Sequence, residues 1–197
     1  MHRKLLSLIL LTLFIAFGVR GQTSQTEEKQ EDTNLETQLY IILATNHDVS
    51  ESRIPSSLDA IVKQARATLP FKNYQLATTL LNRVKNNGGL NLRWVSAPIT
   101  SFNDAAQPVT KIALQLQQVT VQPNSEGQSI VRISFSFDAA IPISVSANRS
   151  PPVFFVENVT LGTVISMREG EPVIIGSLNV GPSGDTIILV LSAKRTS

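Results

Sequence analysis

The chain of 197 residues contains no cysteine, so disulfide staples, thiol nucleophiles and thiolate metal sites are all excluded. Histidine is almost as scarce, with only His2 and His47, which leaves little for imidazole catalysis or ligation. A single tryptophan and two tyrosines accompany eight phenylalanines. There is no G-x-S-x-G elbow and no Gly-Lys-Ser/Thr phosphate loop. Nor is there an unbroken apolar run of the roughly 20 residues that a membrane-spanning helix needs.

The longest uncharged run is the N-terminal one. Leu5 to Val19 carry no charge and follow Arg3 and Lys4, and the modest residues Val19-Arg20-Gly21 precede Gln22. That order of a positive start, a short apolar centre and a cleavage region is the layout of a secretory signal peptide over residues 1–21. An uncleaved anchor at the same place is the rival reading. The chain carries 17 Lys and Arg against 15 Asp and Glu. Loss of Arg3, Lys4 and Arg20 leaves 14 against 15, so the isoelectric point near 9.1 belongs to the precursor. The clustered positive charge of a nucleic-acid surface is missing, and Lys194-Arg195 reads as a solvated end.

Residues 22–36, QTSQTEEKQEDTNLE, hold one large apolar residue and a surplus of acid. Such a stretch buries too little surface to offset its ordering entropy and reads as a disordered acidic tether. Residues 37–197 then form one globular domain, long enough to hold together by burial alone. Leu39 to Ala44 is a short apolar run that fits a buried strand. Leu58, Ile61, Val62, Ala65 and Leu69 recur at helical spacing, with Ser56 as a candidate cap and Pro70 as the stop. Residues 74–85 fit either period. As a helix Leu76, Leu80 and Val84 align; as a strand they alternate with polar positions, and Asn86-Asn87-Gly88-Gly89 before Leu90, Leu92 and Trp94 favours a hairpin.

Beyond Trp94 the pattern is β. Ile112, Leu114 and Leu116 alternate with smaller or polar residues, as do Val131, Ile133, Phe135 and Phe137, with a turn over Pro123 to Gln128 between them. Further strands are expected at 141–145, 153–156, 159–167, 173–175 and 186–192. The expected fold is therefore α+β, mainly antiparallel β in a sandwich-like or twisted sheet, with one N-terminal amphipathic helix.

Catalytic and ligating constellations are sparse. His47, Asp48 and Glu51 share a polar loop, but one imidazole and two carboxylates so close together are common by chance. Glu169 and Glu171 bracket Gly170 and read as solvent-facing turn residues. Asp138 and Asp185 read as strand-end carboxylates. The sequons at Asn148 and Asn158 matter only in a glycosylating pathway. No catalytic, cofactor-binding or metal-binding residue is assigned, no cofactor is expected, and the chain is read as a non-enzyme. Gly176 to Gly184, glycine-rich between two apolar runs, reads as the turn of a hairpin: no Lys-Ser/Thr follows the last glycine, and a β-rich segment, not a helix, comes next.

One segment resembles a known family. Glu169, Gly170, Glu171, Val173, Ile174, Ile175 and Gly176, followed by Ile187 to Leu191, are similar to the core signature of bacterial secretins, the outer-membrane pore subunits of secretion and pilus systems. Ser177 stands where a second glycine is usual, the proline-rich middle is missing, and the end reads Ala193-Lys194-Arg195. The resemblance implies an accessory relative and not a channel. The chain as a whole looks like small exported bacterial proteins of unassigned activity. The expectation is an exported envelope protein, periplasmic or outer-membrane associated, whose partners are envelope proteins or further copies of itself. No nucleic-acid partner is expected, and membrane contact comes only through an uncleaved signal. The alternative is a β-sandwich or barrel that binds a small apolar ligand among Trp94, Phe135, Phe137, Phe154 and Phe155.

Overall fold

The computed structural model describes residues 34–48, 54–97, 99, 108–144, 153–182 and 184–196. The expected signal peptide, most of the tether, Glu51 and Asn148 lie outside the described residues. Eight strands appear in chain order: β1 (Asn34–Thr45), β2 (Asn73–Lys85), β3 (Leu90–Ser96), β4 (Thr110–Pro123), β5 (Ser129–Ser144), β6 (Phe154–Arg168), β7 (Val173–Val180) and β8 (Asp185–Arg195). A 3-10 turn at Ser56–Leu58 leads into the helix α1 (Asp59–Thr68).

The strands form two four-stranded sheets, ordered β2-β1-β8-β7 and β3-β4-β5-β6, and every pairing is antiparallel. The chain passes from one sheet to the other at β2–β3 and at β6–β7. The path is thus an up-and-down meander, closed where β8 pairs with β1 and split where β2 meets β3 and β6 meets β7. The inward side chains of both sheets fill one core. Leu39, Ile41, Leu189 and Leu191 come from the first sheet, and Leu114, Ile133, Phe135 and Phe137 from the second. Two sheets sharing one core make a sandwich.

Burial explains why some strands read as runs and others alternate. The first sheet is covered on both faces. Tyr40, Ile42, Ile188 and Val190 point away from the main core and pack under Leu58, Ile61 and Ala65 from the helix segment. Residues of β1 and β8 are therefore buried on successive positions, which demands continuous apolar runs. The second sheet has one open face, so β4 and β5 alternate. Each fully covered Leu or Ile stabilises the fold by about 1.5–3 kcal/mol.

Three expectations need correction. The helix does not open the domain: it follows β1 and lies in the β1–β2 connection. Its cap is Leu58, with no side-chain cap bond, because Ser56 is taken into the 3-10 turn. The tether ends earlier than composition implied. β1 begins at Asn34, with Leu35 fully buried and Glu36 paired with Lys194 at 3.2 Å. The strands expected on either side of Asn86-Asn87-Gly88-Gly89 exist, but they are not a hairpin. β2 pairs with β1 and β3 with β4. The turn instead docks on a bulge in β4, where Gln118 has φ 50°. Asn87 N–H donates to Val119 O at 2.7 Å, and Val121 N–H donates to Asn86 Oδ1 at 3.1 Å. The turn thus carries the chain between sheets.

Candidate functional site

The glycine-rich segment resolves into a strand and a turn. Gly176 lies inside β7 at a register shift, and a Cβ there would come within 2.9 Å of Leu161 Cδ2 on β6. Its lack of a side chain lets the two sheets approach at that seam. Gly181 and Gly184, with φ of 70° and 74°, form the β7–β8 turn, and Gly184 N–H donates to Gly181 O. Strand β8 follows and not a helix, so the turn does not lead into a helix N-terminus.

The titratable residues are dispersed among structural roles. His47 is exposed after β1, where its backbone N–H donates to Thr45 Oγ1 and its carbonyl accepts from Asn73 Nδ2. Asp138 sits in the middle of β5, not at its end, and accepts a hydrogen bond from Thr160 Oγ1 at 2.8 Å. Asp185 does begin β8, but it is buried and accepts from Thr45 Oγ1 at 2.7 Å. Glu171 faces solvent beside Arg168. Glu169 does not: Arg195 Nε donates to both of its carboxylate oxygens at 3.0 and 3.1 Å. That guanidinium holds the Glu169 carboxyl below its ordinary range. Among the described residues no three His, Cys, Asp or Glu side chains converge as a metal site would require.

The aromatic residues named for a ligand cavity are not gathered around one. Phe135 and Phe137 are packed in the core, Phe154 is half-buried, and Phe155 lies on the surface. An open trough of about 420 Å³ lies on the outer face of the second sheet. Ala113 and Ala140 form its floor, and Arg93, Lys111, Asp138, Asn158 and Thr160 rise around it. Its lining is mostly apolar, and Trp94 alone of the five named aromatics contributes to it, but it is open to solvent and not an enclosed interior.

The sheet edges differ sharply. β3 has 7 residues and carries Arg93; β7 has 8 and a register shift. β2 has 13, with a register shift in its pairing and Arg83 and Lys85 near its end. Short length, bulges and charges are the usual protection against edge pairing. β6 lacks the first two and carries its charges, Glu157 and Arg168, only towards its ends. It runs 15 residues in unbroken register along β5, and Asn158 to Met167 contain no charge. Val156 and Val164 on it are 58% and 56% exposed, and Phe155 at its start is also exposed. The sequence predicts two strands here, 153–156 and 159–167, where the structure has one continuous strand, and it does not predict the position at an edge. The available signal was valine at 156 and 164, in the phase of the strand that carries Asn158, Thr160 and Ser166.

No protein-family model and no curated protein matches the chain. Among solved structures it is similar to the InvG secretin domain β-barrel from the Salmonella SPI-1 injectisome, at 11% identity over 84% of this chain and 63% of that one, with a TM-score of 0.39. It is also similar to the secretin in the ETEC pilotin–secretin AspS–GspD complex, at 12% identity, 96% and 52% coverage and a TM-score of 0.42. A third similar structure is the V. cholerae type IV competence pilus secretin PilQ, at 11% identity, 83% and 58% coverage and a TM-score of 0.39. The chain spans less than two thirds of the length of each of these three structures. The chain resembles secretin domains in these structures, as residues 168–195 resemble the secretin signature in sequence.

Proposed function

We propose that the protein is an exported bacterial envelope protein without catalytic activity, acting through protein–protein contacts as an accessory to a secretion or pilus system. Residues 1–21 direct export, an acidic tether follows, and the sandwich from β1 onward is the contact module, in the periplasm or at the outer membrane. It needs no cofactor. The observation that carries the contact reading is β6, a long edge in unbroken register whose stretch from Asn158 to Met167 carries no charge. An open strand offers a row of backbone donors and acceptors to a partner strand, with alternate side chains supplying specificity. The export reading is supported by the charge-free run from Leu5 to Val19 after Arg3 and Lys4, with Val19-Arg20-Gly21 before Gln22. The secretion or pilus assignment rests on the resemblance of residues 168–195.

Affinity recovery from chemically crosslinked bacterial envelopes tests it. Secretion or pilus components should co-purify with the protein. Recovery of the protein alone, or only with its own copies, removes the accessory role.

A further inference from the structure

We infer that β6 pairs antiparallel with β6 of a second copy, centred on Thr160, to join two sandwiches through one continuous eight-stranded sheet. This rests on the reading of β6 as a contact edge and names its partner. On the outer face of β6 the residues are Val156, Asn158, Thr160, Gly162 and Val164. The two exposed valines stand four positions either side of Thr160. Within their own sheet Val164 pairs with Ser134 and gains no aliphatic cover, and Val156 has the ring of Pro142 beside it yet stays exposed.

Antiparallel pairing about Thr160 changes this. Val156 of each copy then lies directly beside Val164 of the other, on the same face, and the contact forms twice by symmetry. Thr160 meets Thr160, and Asn158 meets Gly162, which leaves room for the amide. Glu157 is the one carboxylate in the ladder, and Gly181 N–H already donates to its Oε2 at 2.7 Å, so its charge is turned toward its own chain. Other registers separate the valines. Pairing with β3, β7 or β2 of another copy meets a shorter, shifted or charged strand.

The cysteine-free sequence makes the test unambiguous. Directly opposed residues of an antiparallel pair have Cα atoms about 4.5–5.5 Å apart, within the range a disulfide spans. Under mild oxidation the full chain carrying Thr160→Cys should shift to twice its mass. Val156→Cys or Val164→Cys alone should not, because like positions lie about 27 Å apart at 3.4 Å per residue. A mixture of those two variants should crosslink. Sedimentation of the unmodified protein should give two copies, and Val164→Lys should halve that mass without lowering the melting temperature.

Failure of Thr160→Cys to crosslink, equal crosslinking of all three single variants, a monomeric native protein, or assemblies larger than two overturn the inference. A monomer that still recovers secretion or pilus components overturns the pairing but not the proposed function. A dimer that recovers no envelope partner does the reverse.

Discussion

Arg195 on β8 holds Glu169 in the β6–β7 turn through two nitrogens. Its Nε lies 3.0 and 3.1 Å from the two carboxylate oxygens, and its second guanidinium contact reaches Oε2 at 2.9 Å. The same guanidinium donates to Ser129 Oγ at 2.8 Å, and Arg195 N–H donates to Glu169 Oε1. One side chain therefore ties the last strand of the first sheet to the start of β5 in the second. It fastens the corner where the chain changes sheets.

This clip predicts an acid-sensitive increment of stability. The folded Glu169 carboxyl is held below its ordinary range, chiefly by the Arg195 hydrogen bonds. Its contribution is therefore complete above the ordinary glutamate pKa, near 4.3, and is lost as pH falls through the lower folded value. Half of the Arg195 side chain is exposed, so solvent screening limits the pair to about 1 kcal/mol. Glu169→Gln should lower the melting temperature at pH 7. Melts taken at successively lower pH should show the gap between wild type and variant closing, and a gap independent of pH would contradict the clip.

Thr45 and Asp185 form a buried polar pair at the opposite end of β1. Thr45→Val keeps the shape but removes the hydroxyl that donates to Asp185 Oδ1. Loss of one donor to a buried carboxylate costs about 1–3 kcal/mol. Urea unfolding should show a lower midpoint with an unchanged slope.

Gly176 and Leu161 should be energetically coupled. A methyl at position 176 meets the end of the Leu161 side chain, which must rotate away. Gly176→Ala should destabilise by about 1 kcal/mol, with Leu161→Ala recovering part of that loss in the double variant. Strict additivity across the four proteins would show that the seam does not set the strain.

Core and surface positions separate cleanly. Phe137→Ala, in the shared core, should cost about 3–5 kcal/mol in chemical denaturation. His47→Ala should stay within about 0.5 kcal/mol, because His47 is exposed and among the described residues its bonds are made by its backbone.

Much of the layering was legible in the residues. The runs at Leu39–Ala44 and Ile187–Leu191 and the alternation at Val131–Phe137 report directly how many faces of each strand are covered. Partner choice was not legible. Asn86-Asn87-Gly88-Gly89 has the chemistry of a tight hairpin turn, and nothing local reveals that its bonds go to Val119 and Val121 on a later strand. Glu169 and Arg195 looked like solvated turn and terminal charges for the same reason, since their bond spans separate elements. The exposed edge escaped notice because an edge is defined by which neighbour is missing, and sequence patterns report faces.

The closure of β1 on β8 has a bearing on how the protein is made. Leu43 faces Ile187 and Leu35 faces Arg195, so the central pair of the first sheet joins the earliest described strand to the latest. A loop that spans most of the polypeptide must be closed before these contacts form, which slows folding. A partly synthesised chain has β1 with one flank still empty. Maturation therefore waits for the final strand, and a truncation before Asp185 should yield a chain that is degraded instead of a smaller stable fragment.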